Sequence, residues 1–138
     1  MTNLTDEQLK SLLTDAKTVV IVGASNKPER ASNGIMKFLI KNGYTVYPVN
    51  PIEKEVLGIP TYDSVSDVPV QPDIVDVFRK SDAATEIVRE AVGKGAGLIW
   101  LQEEVISDEG KKIAEYAQTP FVMDKCIFKE FLRLGISR

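Results

Sequence analysis

The chain contains no histidine, and that one absence removes a large part of enzyme chemistry. Histidine general acid–base catalysis, Ser-His triads and histidine-ligated metals are excluded together. A single cysteine, Cys126, rules out an internal disulfide and suits a reducing compartment. No apolar run approaches the roughly 20 residues needed to span a bilayer. The opening MTNLTDEQLK has acidic residues where a signal peptide has a basic segment and then an apolar core. A cytoplasmic location, with no membrane contact, is the expectation. Positive charge is not in excess either: 17 Lys and Arg stand against 20 Asp and Glu, for a net charge of −3. Nucleic-acid binding needs a broad basic surface, so it is not expected. A small anionic ligand held by a few local cations remains compatible with that balance.

What is present is an ordinary globular composition, 43% apolar and 27% charged over 138 residues, enough for one domain with a sheet covered on both sides. The expected organisation is a single domain over 1–138, with an N-terminal helix in 1–16 and a core in 17–138. Residues 19–22 form a β-branched apolar run without polar alternation, the pattern of a strand buried on both faces. Gly23 ends it, Ala24 and Ser25 keep the turn small, and Ile35, Met36, Leu39 and Ile40 begin a helical stripe near Ser32. Further strands are predicted at 44–49, 73–78, 98–101 and 120–123, with a short edge strand at 59–62. Residues 53–57 read as a polar loop or a turn of helix, and 64–68 as a helical turn. Helices are predicted at 5–15, capped by Thr5 with Gln8, and at 32–42. Others follow at 81–92 capped by Ser81, at 107–118 capped by Ser107, and at 126–134. Strands alternating with helices over short connections specify an α/β, Rossmann-like, doubly wound sheet, mainly parallel, of about five strands.

In such folds ligands sit beyond the carboxyl ends of the strands. A buried strand, a small-residue turn and a helix N-terminus make a phosphate site, because free amides and the positive end of the helix dipole point at it. A tight βα turn in any doubly wound protein looks similar. NAD requires G-x-G-x-x-G here and an acid about 20 residues on for the ribose. The chain instead reads Gly23-Ala24-Ser25-Asn26-Lys27-Pro28, and its second strand ends Tyr47-Pro48-Val49-Asn50. The Walker pattern is also missing. Lys27, Arg30, Lys54 and Arg79 stand at the strand ends, which suits a pyrophosphate ligand with a further phosphate on its ribose. NADP and coenzyme A both answer that description.

The ordered motifs VGAS with Arg30 and Ser32, Gly43-Tyr44 into VYPVNP, Gly58-Ile59-Pro60, DIVDVFR, WLQ, and VMDKC followed by Glu130 make the chain recognisable. It resembles the small stand-alone CoA-binding proteins, whose domain is similar to the N-terminal, CoA-binding domain of the succinyl-CoA synthetase α subunit. The resemblance runs from about Thr18 to Leu134. It implies coenzyme A, or an acyl-CoA, lying across the strand ends. The pyrophosphate would sit at Gly23, Ala24 and Ser25 with Arg30 near. Adenosine would lie between the Asn50-Pro51 corner and the Phe78-Arg79 end, with Lys54 or Arg79 meeting the 3′-phosphate. The pantetheine arm would run toward Trp100 and Gln102. Two departures stand out: Glu103-Glu104-Val105 replaces the family's Gly-Val or Gly-Ile after WLQ, and Phe131 replaces a histidine.

Each residue also has a plainer reading. Arg30 can pair with Glu29, Lys54 can be a surface lysine, Phe78 and Trp100 can be core, and Gln102 can bond a neighbouring backbone. Cys126 reads first as a small buried hydrophobe; Lys125 or a helix N-terminus can activate it, and a mixed disulfide with the CoA thiol is conceivable. The expected function is non-catalytic CoA binding, since synthetases of the related class use a phosphorylated histidine. An NADP-dependent oxidoreductase is the rival enzyme, and a module that uses CoA or acyl-CoA as a regulatory signal is the rival binding protein. No metal site is expected.

Overall fold

A computed structural model describes residues 4–138, so the first three residues of the predicted N-terminal segment lie outside the described residues. Helix α1 (Asp6–Asp15) opens with a reciprocal box: Thr5 Oγ1 accepts the Gln8 amide, and Gln8 Oε1 accepts the Thr5 amide. Such a cap stabilises a helix start by about 1 kcal/mol. Strand β1 (Thr18–Val22) and helix α2 (Ala31–Lys41) follow, then β2 (Thr45–Val49). A small hairpin, β3 (Glu55–Val56) and β4 (Ile59–Pro60), precedes a 3-10 turn at Val65–Asp67. The chain continues through β5 (Ile74–Val77), α3 (Ser81–Gly93), β6 (Leu98–Leu101), α4 (Asp108–Tyr116), β7 (Phe121–Val122) and α5 (Ile127–Arg133).

Five strands form one parallel sheet in the order β2-β1-β5-β6-β7, flanked by the five helices. The α/β Rossmann-like reading of the sequence is therefore correct. Alternate side chains of each strand enter two separate cores. Val19, Ile21, Ile74, Leu98 and Trp100 pack under α1, α2 and α5 through Leu13, Met36, Leu39 and Phe131. Val20, Val22, Val75, Val77, Ile99 and Leu101 pack under α3 and α4 through Ala84, Val88, Ala91 and Ala114. A sheet covered on both faces leaves its central strands no solvent side, which explains the unbroken apolar runs.

Asp76 breaks that run. It stands in register with Ile21 and Trp100, fully buried, and neither carboxylate oxygen meets a hydrogen-bond partner. Burial pushes its carboxyl well above the usual range, so the neutral acid is favoured there.

Three local expectations change. Residues 59–62 do not extend the main sheet as a strand: Ile59 and Pro60 pair back antiparallel on Val56 and Glu55, and Tyr62 alone bridges to Val49. The reason is the Leu57-Gly58 turn, where both residues take positive φ, 52° and 78°, the geometry of a two-residue hairpin. That hairpin claims residues 55–56, which sequence alone reads as loop or helix. Ser81 does not cap α3. Lys80 occupies the cap position, while Ser81 Oγ accepts the Ile106 amide and donates to the Glu104 carbonyl.

Candidate functional site

The sheet order reverses between β1 and β5. After β1 the chain steps outward through α2 to β2, and the later strands then build on the opposite side. The loops leaving β1 and β5 consequently part in opposite directions and leave a crevice at their carboxyl ends. Gly23 is the floor of that crevice. Its φ is +90°, and a Cβ there would lie 3.2 Å from Arg79 Cδ and 3.3 Å from the Phe78 carbonyl carbon and oxygen. Glycine is required both for the turn and for the close approach of the two strand ends.

The turn itself is held by three asparagines. Asn50 Nδ2 donates to the Ala24 carbonyl at 2.9 Å, while its Oδ1 accepts the amides of Ile52 and Glu53. Asn33, 2% exposed on α2, donates to the Ser25 carbonyl at 2.9 Å. Asn26 clips the same loop to the β3–β4 hairpin through the Glu55 carbonyl and the Leu57 amide. The amides of Gly23 and Ala24 both donate to the Val49 carbonyl, at 3.0 and 3.3 Å, so neither is free for a ligand. The carbonyls of Ala24 and Ser25 are likewise taken. Among the described residues, no protein group accepts from the amides of Ser25, Ala31 or Ser32. The anion-ready amides therefore lie slightly further along the chain than Gly23, on Ser25 and the first turn of α2.

Two helices open onto this crevice, and neither is capped by a side chain. Their cap positions hold Arg30 and Lys80 rather than Ser, Thr, Asp or Asn. By contrast α1 and α4 are capped by Thr5 and Ser107. Lys27 and Arg79 join Arg30 and Lys80 along a cleft of about 710 Å³, and none of the four forms an ion pair among the described residues. Four unpaired cations beside two N-termini without side-chain caps outnumber the two acids of the same cleft, Glu53 and Asp82, and make it locally positive on a protein whose net charge is −3.

Of the ten residues singled out from sequence, Gly23, Ala24, Ser25, Arg30, Asn50, Pro51, Phe78 and Arg79 line this cleft. Gln102 lines an adjoining one of about 270 Å³ that shares Gly23, Arg30 and Phe78 with it. Lys54 lines neither. Gln102 Oε1 accepts the Ile127 amide, so half of its side chain anchors α5. Trp100 is fully buried and donates its ring N–H to the Lys125 carbonyl, so it is a core residue. Glu103 is paired with Lys129 at 2.9 Å, and Glu104 instead turns the chain, with φ of 71° and its amide on Asp124. Cys126, at the cap position of α5, is half-buried and lines the smaller cleft. Asn26 and Asn33 were not singled out from sequence. The asparagines act on partners eight and 29 residues away, with no spacing to announce them. A third cleft, of about 620 Å³ between α1, β7 and α5, has its acids already paired: Arg133 binds both Asp6 and Glu130.

A Rossmann-like sheet with a cationic crevice at its switch point defines the class of the molecule. The chain belongs to the CoA binding domain family, whose sequence profile matches residues 17–131. It is 30% identical over 127 residues to the uncharacterized protein YneT of Bacillus subtilis, covering 92% of this chain and 94% of that one. It is also 30% identical over 102 residues to an ADP-forming acetate–CoA ligase II of Archaeoglobus fulgidus, where the match covers 72% of this chain but 15% of the ligase. A solved structure of a hypothetical protein from Pyrococcus horikoshii superposes with a TM-score of 0.92 at 43% identity, covering 96% of this chain and 94% of that one. One from Thermus thermophilus gives 0.90 at 34% identity, covering 95% and 99%.

Proposed function

We propose that the protein binds coenzyme A at the β1–β5 switch point and performs no reaction of its own. The observation that supports this most is the pair of open helix N-termini carrying Arg30 and Lys80 where capping residues belong, beside the close-packed Gly23 turn. A dianionic pyrophosphate completes that arrangement: it accepts from the Ser25, Ala31 and Ser32 amides and offsets the Arg30 charge. The adenosine then lies along the Asn50-Pro51 corner and the Phe78-Arg79 strand end, with its 3′-phosphate toward Arg79 and Lys80. Ala24 walls the pyrophosphate side, and Gly23 gives the backbone clearance. Lys54, standing outside the cleft, is left to solvent. Gln102 holds the α5 end past which the pantetheine arm runs. Absence of histidine supports binding rather than synthetase chemistry, and the ligase relatives extend far beyond the matched region. The free cysteine fits a cytoplasmic protein, and among the described residues no helix is long and apolar enough to cross a membrane.

A thermal-shift titration with CoA, dephospho-CoA, NADP and NAD tests the reading. Ligand at 100 times its Kd stabilises the native state by about 2.7 kcal/mol, a shift of a few degrees for a chain of this size. CoA is expected to shift the melt more than dephospho-CoA, and Arg79→Ala to erase that difference. A shift with NADP and none with CoA would overturn the assignment.

A further inference from the structure

Past Gly23, Arg30 and Phe78 the cationic cleft opens into the smaller chamber, and the two differ sharply in chemistry. The larger one is lined by four cations against two acids, Glu53 and Asp82. The smaller has Arg30, Ala31 and Ser32, the groups given above to the pyrophosphate, on one part of its wall, and Ile35, Phe78, Val105 and the Cys126 thiol on another. Ile35 and Val105 are 8% and 7% exposed, so their contact surface is already largely dry. Gln102, 5% exposed, is fixed by the Ile127 amide and does not swing to fill the space. Glu103 also lines it and is paired with Lys129 at 2.9 Å.

With Arg30 and the Ala31 and Ser32 amides given to the pyrophosphate, the part of the wall made by Ile35, Phe78, Val105 and Cys126 offers a further phosphate no partner. A sulfur atom with a short hydrocarbon tail suits it, because sulfur and apolar carbon both gain by leaving water for these walls. A tail ending in a carboxylate would lose its hydration among Ile35, Phe78 and Val105, and Glu103, held by Lys129, offers it no cation. Resting on the coenzyme A reading above, we propose that this chamber receives the sulfur end of the bound carrier together with a short, uncharged acyl group. The ligand class preferred by this chain is then a short-chain acyl-CoA rather than free CoA, with Glu103 and Cys126 as specificity-determining neighbours.

The test compares CoA, butyryl-CoA, succinyl-CoA and adenosine 3′,5′-bisphosphate by isothermal titration, and follows iodoacetamide labelling of Cys126, the chain's one cysteine. Each acyl methylene that becomes buried tightens binding by up to about fourfold, so butyryl-CoA is expected to bind about tenfold or more tighter than CoA. Succinyl-CoA should show no such gain. Butyryl-CoA should slow labelling of Cys126, whereas the bisphosphate should bind and leave labelling unchanged. Cys126→Phe, which fills the chamber, should remove the butyryl gain and leave binding of the bisphosphate unchanged; the labelling result needs no variant and stands even if that one misfolds. Binding of CoA with no gain from butyryl, or equal protection by the bisphosphate, overturns the chamber assignment and leaves the coenzyme A reading intact. An equal gain from succinyl-CoA overturns the preference for an uncharged group. Failure of all four ligands to bind sinks both readings.

Discussion

Asp76 is the residue most at odds with its surroundings. It occupies the middle of a central strand where every neighbour in register is apolar, and its oxygens meet no donor. Burial raises its carboxyl well above the ordinary value near 4, so the folded protein holds that proton more tightly than the unfolded chain does. Stability from this group is fully present below the unfolded value and is lost as pH rises toward the folded one, by about 1.4 kcal/mol per pH unit within that window. Asp76→Asn cannot ionise and escapes the loss. Urea melts of parent and variant at pH 5, 7 and 9 should therefore show the variant gaining on the parent as pH rises. A difference independent of pH would mean that the carboxyl is not held neutral. The sequence displayed this acid in DIVDVFR but not its isolation, because isolation is a property of what α2, α5 and the adjacent strands place over it.

Among the elements, α2 and α3 are built against their own stability. A cation at a helix N-cap neither accepts from the first amides nor suits the positive end of the dipole. Arg30→Asp supplies both missing features. Such a cap is expected to stabilise the ligand-free protein by about 1 kcal/mol, while weakening CoA by tenfold or more through the lost charge and the occupied amides. Calorimetry of the unliganded variant and a CoA titration would check the two effects separately, and a variant that gained stability without losing affinity would contradict the proposed pyrophosphate position. The start of α1 was legible because the Thr5–Gln8 box is local. The start of α3 was not, since Ser81 looks like a cap yet spends its hydroxyl on the chain at Glu104 and Ile106. The β3–β4 hairpin was hidden for a similar reason: two-residue strands have no periodicity, and only the Leu57-Gly58 turn marks them.

At the scale of the molecule, the first and last helices are joined by Arg133, which makes two bonds to Asp6 and two to Glu130. Its guanidinium lowers both carboxyls from their usual values. Groups so lowered add stability above the unfolded carboxylate range and lose it as pH falls through their folded values. Arg133→Ala should lower the melting temperature modestly at pH 7, since the network is partly exposed, and the gap to the parent should close in acid. A gap that persisted at low pH would point to lost packing instead. By itself the sequence determined the parallel α/β class and the small-residue turns and cations at the strand ends where the proposed site lies, because apolar runs, small-residue turns and charge are all local properties. Only the tertiary structure decided that β5 and not β2 lies on the far side of β1, which brings Phe78 and Arg79 against Gly23. It also decided that Lys54 stands outside the cleft and that Cys126 stands within its side chamber. Strand order follows from how crossover helices pack over the whole sheet, and no stretch of residues encodes that alone.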